Sequence, residues 1–189
     1  MTIGPRSRIV GIDDGPFGPK PGSKVLVVGV MMRGGQRVEG VMTSHVVRDG
    51  MRATSSILRM LSTGRLANQA QAVVVDGVAV GGFNVIDLPT LSASLNVPVV
   101  AVMRRRPNLT SIRRALNKTR HAERRWTLMQ RAGAIHEADG MFFQVAGASA
   151  GLARRILEIS SPYERYPEAL RLAHLIGGAM VLGTSRGGA

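Results

Sequence analysis

The chain has 189 residues, 44% of them hydrophobic, no cysteine, a formal net charge of +13 and a sequence pI near 11.7. That length fits one domain with a full core, and the lack of cysteine excludes disulfides, thiolate zinc sites, iron–sulfur clusters and cysteine nucleophiles. No run of about 18 apolar residues predicts a transmembrane helix and no long apolar stretch behind Met1 predicts a signal peptide, so the expectation is a cytoplasmic protein with no membrane partner.

Arg8-Ile9-Val10-Gly11-Ile12-Asp13-Asp14 reads as a first buried strand that closes on aspartate. Residues 15–22 hold three prolines and three glycines and read as a loop. Lys24 to Met32 is a second strand, Arg33-Gly34-Gly35-Gln36 a turn and Arg37 to Val47 a third strand, so strands two and three form a hairpin. Residues 52–64 read as a helix. Ala72-Val73-Val74-Val75-Asp76 is a fourth strand, again ending on aspartate. Asn84 to Leu95 reads as a helix with Pro89 tolerated near its first turn, and Val97 to Met103 as a fifth strand. Basic helical segments follow over 109–119 and 122–132, then a hairpin over 134–145 turning at Asp139-Gly140. Helices near 149–159 and 167–182 lead to a tail, 183–189, expected to be mobile. No repeat or linker divides the chain, so residues 1–189 form one domain.

The order β-β-β-α-β-α-β, then helices, predicts an α/β fold of the ribonuclease H-like kind. Its mixed five-stranded sheet would have three antiparallel strands plus parallel additions, flanked by helices. The first and fourth strands are then parallel neighbours. Asp13 and Asp76 would lie about one strand spacing apart, ~5 Å, at the strand ends where open α/β sheets bind ligands. Such a pair suits a shared divalent cation. Asp49, in Arg48-Asp49-Gly50, is a third acid within reach, although Asp before Gly equally makes a turn. Together they would bind Mg²⁺ or Mn²⁺ through oxygen, the chemistry that activates water against a phosphodiester. Asp14 points to the opposite face from Asp13 and is a reserve ligand or a cap.

Gly77 to Asn84 reads as a glycine-rich strand-to-helix junction whose backbone N–H groups can hold phosphate. Gly81-Gly82 leaves room for a close backbone or a base. The plainer alternative is a tight loop with Asn84 as N-cap. It carries neither the dinucleotide fingerprint nor the P-loop. Asp87 falls in the first helical turn.

The positive charge is concentrated: between Ala101 and Arg131 there are ten Lys or Arg and one acid, Glu123. Arg104-Arg105-Arg106 follows the fifth strand, and Arg114, Lys118, His121 and Arg125 form one stripe if their helix is continuous. Clustered arginine predicts a polyanionic partner, DNA or else RNA, against the alternative of a merely solvated arginine-rich surface. Trp126, beside the stripe, reads as core packing. In the last helix Glu168, Arg171 and His174 share a face. They make either an internal Glu168–Arg171 pair with a satisfied histidine, or a histidine near a metal, as ligand or general acid/base. Nothing fixes an oligomeric state.

Three stretches carry a family resemblance: Val10-Gly11-Ile12-Asp13-Asp14-Gly15-Pro16-Phe17, the run from Val75 to Asp87 with Gly81-Gly82-Phe83-Asn84-Val85-Ile86-Asp87, and Pro167-Glu168-Ala169-Leu170-Arg171-Leu172-Ala173-His174-Leu175-Ile176. In this order, over nearly the whole chain, they resemble a prokaryotic, mainly archaeal family called endonuclease dU. The resemblance implies a ribonuclease H-like fold and cleavage of DNA at deoxyuridine. More distantly the chain is similar to endonuclease V, which nicks near deaminated bases using Mg²⁺. That similarity places its metal aspartates on Asp13 and Asp76 and leaves Asp49 as the nearest candidate for its intervening glutamate. Its Pro-Glu-x-x-Arg-x-Ala-Asp motif is matched here except that His174 replaces the last acid, which would favour Mn²⁺ more than an all-oxygen site does.

The expected function is a metal-dependent DNA endonuclease acting in repair at deaminated bases, deoxyuridine foremost. Asp13 and Asp76 would hold the ion, Asp49 would complete the site, and His174 would be a ligand or proton carrier. Gly81, Gly82 and Asn84 would border the pocket for the extruded base, and Arg104, Arg105, Arg106, Arg114, Lys118 and Arg171 would hold the substrate. The alternative is a nucleic-acid-binding protein that keeps the fold without catalysis. A nucleotide- or phosphate-metabolising enzyme is disfavoured by the basic surface.

Overall fold

The computed structural model describes residues 3–186. In chain order it contains β1 (Arg8–Asp14), β2 (Lys24–Arg33), β3 (Arg37–Val47), α1 (Ala53–Ser62), β4 (Ala72–Asp76), β5 (Ala79–Val80), β6 (Asn84–Val85) and α2 (Leu88–Leu95). There follow β7 (Val99–Met103), α3 (Leu109–Leu116), α4 (Ala122–Arg131), β8 (His136–Ala138), β9 (Met141–Ala146), α5 (Ala150–Ser160) and α6 (Glu168–Leu182). Of the expected mobile tail, 183–186 are exposed and 187–189 lie outside the described residues. Among the described residues no helix is long and apolar enough to cross a membrane.

The main sheet runs β3-β2-β1-β4-β7-β9-β8. β1, β2 and β3 pair antiparallel, and β4 and β7 add in parallel. This is the expected ribonuclease H-like arrangement, enlarged from five strands to seven. The extra pair is the 134–145 hairpin: β9 lies antiparallel against β7 and carries β8 outside it. The sequence marks this hairpin by its Asp-Gly turn, but nothing local to it says which sheet edge it covers.

Alternation along the strands builds two layers of core. Val10, Ile12, Val73, Val75, Val99 and Ala101 face α1 and α2 with Ile57, Leu61 and Leu91. Ile9, Val74, Val100 and Val102 face the other way, toward Ile156 and Leu157 of α5 and Leu170 of α6. The α6 helix lies so close to β1 that any side chain at Gly11 would collide with the backbone of Ala169. Glycine there is a requirement of the helix–sheet contact, and that contact sets the height of α6 over the β1 end.

Two expectations fail in informative ways. The helix expected over 84–95 starts only at Leu88. Asn84-Val85 instead pairs with Ala79-Val80 in a small hairpin, turned by Gly81 and Gly82 at φ +59° and +82°. Asp87, not Asn84, caps α2, accepting from the Thr90 N–H at 3.2 Å. The continuous basic helix fails as well. α3 stops at Leu116 and α4 begins at Ala122, after His121 in the left-handed region at φ +61°. Arg114, Lys118, His121 and Arg125 therefore form no single stripe. Arg125 is only 2% exposed, and its guanidinium donates to the carbonyls of Asp49 and Gly50. It is a clamp between α4 and the loop before α1.

A candidate metal-binding active site

β1 and β4 pair in parallel with Ile9 opposite Ala72 and Ile12 opposite Val75. One step further, that register sets Asp13 beside Asp76. Both continue the alternation of Ile9, Ala72 and Val74, so their side chains emerge on the α5/α6 face. Asp13 is buried and Asp76 partly buried. Burial first, then the negative charges of Asp76 and Asp14, push the Asp13 carboxyl up to about 7. Burial likewise raises Asp76, against the opposing pull of Tyr166, Arg104 and His174.

His174 projects from α6, and its Nδ1 lies 3.1 Å from Oδ2 of Asp13. The imidazole is 47% exposed where the carboxylate is 10% exposed, so the pair runs from the buried strand end out to solvent. The other Asp13 oxygen accepts the Asp14 N–H at 2.8 Å. On the far side of Asp76 stands Tyr166, just before Pro167 and α6. Its phenol lies beside the Asp76 carboxylate and favours the charged form. Its own proton is held more tightly than usual, through burial and then the charges of Asp76 and Asp13. Arg104, from the end of β7, lies over the Tyr166 ring with its guanidinium carbon 4.1 Å from the centroid.

Tyr166 is the site residue that sequence reasoning missed. Its only signal is position: a tyrosine directly before the Pro-Glu that opens the His174 helix.

The other acids are placed elsewhere. Asp14 turns to the opposite face and accepts the Gly81 N–H. Asp49 accepts the Phe83 N–H at 2.9 Å and meets Arg48 at 3.3 Å. Both carboxylates therefore tie the β5–β6 hairpin to the body of the domain. The Gly81 and Phe83 N–H groups read as a phosphate cradle are occupied by these two aspartates, and no helix starts there. Asn84 is fully buried. Its Oδ1 accepts the Ala53 N–H at 2.9 Å at the start of α1, and its Nδ2 donates to the Val47 carbonyl. It braces the interior and cannot meet a base. Arg171 is held by Glu168 through two bonds of 2.7 and 2.6 Å. Arg104, Arg105, Arg106, Arg114 and Lys118 are exposed.

Among the described residues no three His, Cys, Asp or Glu side chains converge on one point as a ready-made metal cage. The donor set still fits Mg²⁺ or Mn²⁺, because Mg²⁺ is commonly held by one or two carboxylates with water and substrate phosphate filling the shell. Asp13 and Asp76 are the two that fit. The high proton affinity of Asp13 comes first from its burial and then from the neighbouring carboxylates Asp76 and Asp14, a setting in which a bound cation would take the place of the proton.

On the other side of the same strand ends lies an apolar cavity of about 590 Å³, lined by Gly77, Val78, Phe83, Met103, Trp126 and Gln144 among others. Gly77 directly follows Asp76, so one peptide separates the carboxylate side from the cavity side. Gly82 borders it, and half-buried Trp126 forms a wall beneath Arg113, 5.2 Å from its ring.

A mixed sheet of this order, with two carboxylates at the ends of its adjacent parallel strands, defines a ribonuclease H-like fold. The chain belongs to the Endonuclease dU family, whose characteristic sequence it matches over residues 5–181. A UPF0215 protein of Methanothermobacter thermautotrophicus is 42% identical over 187 residues, covering 96% of this chain and 91% of the relative. A protein of unknown function from Archaeoglobus fulgidus superposes with a TM-score of 0.86 at 30% identity, over 92% of this chain and 98% of that one. Endonuclease V of Ciona intestinalis, solved with a 23mer DNA containing an inosine, superposes with a TM-score of 0.58 at 12% identity, over 88% and 82% of the two chains. At that identity the last likeness is one of fold.

Proposed function

We propose that this protein is a metal-dependent endonuclease that nicks DNA at deaminated bases, deoxyuridine foremost. The carrying observation is the β1–β4 register, which brings Asp13 and Asp76 together on one face at the C-terminal strand ends. Family membership and the concentrated positive charge support the same reading.

Asp13 and Asp76 would hold a Mg²⁺ or Mn²⁺ ion, which when bound would supply a Lewis acid and a water whose proton is more easily removed than in bulk. His174, bonded to Asp13 and open to solvent, can hold or pass a proton at Nε2. Tyr166 orients Asp76, and Arg104, stacked on that ring, offers a cation to a phosphate. Exposed Arg105 and Arg106 extend the phosphate-binding surface. The cavity beyond Gly77 would receive the extruded base, which is most easily unstacked where pairing is already damaged. Gly82, which lines that cavity, would border the base, whereas Asn84 supports the fold and Asp49 ties the hairpin.

The test uses uracil-containing, hypoxanthine-containing and undamaged duplexes with Mg²⁺, Mn²⁺ or chelator. Nicking of a lesion strand only with metal, lost in Asp76→Asn with DNA binding retained, is the expected result. Binding without metal-dependent nicking would favour the non-catalytic binding protein.

A further inference from the structure

We propose that Gln144 is the residue that reads the extruded base, by accepting a hydrogen bond from the ring N–H that deamination creates. This rests on the reading of the cavity as a base pocket, and adds what the pocket recognises.

Gln144 lies on β9 between Phe143 and Val145, which belong to the α5/α6 side of the sheet. By strand alternation its own side chain emerges on the cavity side, where it is a lining residue. It is 6% exposed. Its amide is not free to turn over, because Nε2 donates to the Gly133 carbonyl at 2.7 Å. That bond fixes which end of the amide is nitrogen and leaves Oε1 as an acceptor. Among the described residues no donor is bonded to it. Oε1 is not sealed from solvent; it is open at the cavity, where a base that brings an N–H exchanges water for a direct bond and a base that brings a lone pair sets acceptor against acceptor.

The chemistry of deamination supplies that N–H. In cytosine, N3 is a bare acceptor beside an amino group. When water replaces the amino group with a carbonyl, N3 acquires a hydrogen. Adenine changes in the same sense at N1 when it becomes hypoxanthine. A fixed acceptor therefore meets a donor in either deaminated base and a lone pair in either parent base. A freely rotating amide would satisfy both and select neither. The Gly133 bond is thus what converts Gln144 from a general polar contact into a discriminating one. Thymine carries the same N3–H, so the pocket itself admits it. Its exclusion falls to extrusion, since thymine opposite adenine sits in a full Watson–Crick pair while uracil left opposite guanine is held only by a more easily opened wobble mismatch.

Trp126 is the chain's only tryptophan and lines this cavity, so its fluorescence reports occupancy without any cleavage. Duplexes carrying one G·dU, G·dC or G·N3-methyl-deoxyuridine pair would be titrated in chelator with the wild-type protein and with Gln144→Leu. Nicking of the same duplexes would be followed in Mg²⁺ and Mn²⁺. The wild type is expected to bind the dU duplex roughly 10- to 100-fold more tightly than the dC duplex, with Trp126 quenching. N3-methylation should remove that preference, and Gln144→Leu should lose it while keeping its affinity for undamaged DNA. The proposal is overturned if N3-methyl-deoxyuridine is bound like deoxyuridine. Equal affinity for dU and dC in the wild type, or an unchanged preference in Gln144→Leu, overturns it too. The methylated probe needs no variant, so a misfolded Gln144→Leu does not protect the idea. Selective quenching without nicking would overturn the nuclease reading and leave Gln144 standing; nicking indifferent to N3-methylation would do the reverse.

Discussion

Aspartates on the two sides of the strand ends meet opposite fates. On the hairpin side, Asp14, Asp49 and Asp87 each accept a backbone N–H, from Gly81, Phe83 and Thr90, and Asp87 also pairs with Arg131 at 2.7 Å. On the α6 side, Asp13 and Asp76 face one another, and Asp13 is driven up to about 7 by burial and like charge. The first group spends its carboxylates on holding backbone in place. The second leaves two acceptors concentrated at one point, stable only when protons or a cation share them. Position at a strand end is common to Asp13 and Asp14 and does not separate them; the face does.

Breaking the α6 side should have the largest effect. Asp76→Asn is expected to bring nicking to background in any divalent metal, whereas Asp49→Asn, which keeps an oxygen for the Phe83 N–H, should retain it. Loss of activity in folded Asp49→Asn would erase the distinction between the two sides. Tyr166→Phe should come next. It leaves Asp76 without its neighbouring donor, and the metal concentration for half-maximal nicking should rise by about 10- to 100-fold, with thermal stability nearly unchanged.

The hairpin side should answer in stability instead. Asn84→Ala leaves the Ala53 N–H without its side-chain acceptor inside the domain. It should cost about 1–3 kcal/mol, read as a fall in Tm by calorimetry, with the rate of any protein that remains folded little changed.

How far these sides were legible in the sequence follows from the range of the signals. Asp13 and Asp76 announce themselves because each closes a short apolar run, and a period of two assigns them a face once the strand order is known. Asp14 fell on the other face by the same rule. Gly81-Gly82 misled because a glycine pair serves a strand-to-helix junction as well as a tight hairpin loop, here the three residues Gly81 to Phe83. The contacts that decide, Val80 against Asn84 and Ala79 against Val85, are two isolated residue pairs without periodicity. Tyr166 and Gln144 were invisible for a different reason. Their meaning lies in partners 90 residues away at Asp76 and 11 away at Gly133, and no local pattern encodes those meetings.

The charge on Asp13 separates the sides by pH. Its carboxyl binds a proton more tightly in the folded protein, to about 7, than at its ordinary value of 3.8. The folded state is therefore favoured at low pH, and that contribution is lost as pH rises toward and through 7. Asp13→Asn removes the titration. In chelator it should melt about 2–4 °C above the wild type at pH 8 and show a smaller gain at pH 5. An equal shift at both values would mean that Asp13 carries no excess proton affinity in the fold.

The smallest effects should come from the basic surface, where part of the arginine is already engaged within the protein. Arg113 is bonded to Glu123, Arg131 to Asp87 and Arg171 to Glu168, and Arg125 is buried against Asp49 and Gly50. The exposed Arg105, Arg106, Arg114 and Lys118 have no such acid partner among the described ion pairs. A phosphate contact releases about one counterion, so each contacting residue replaced by alanine should reduce the slope of log affinity against log salt by roughly 1. Arg105→Ala and Arg106→Ala, beside Arg104 at the end of β7, are the replacements expected to do so. Arg131→Ala should leave the slope unchanged and lower only the stability of α2 and α4. A slope that falls equally for Arg131 and Arg105 would mean that net charge alone, rather than a track leading to the Asp13–Asp76 side, holds the nucleic acid.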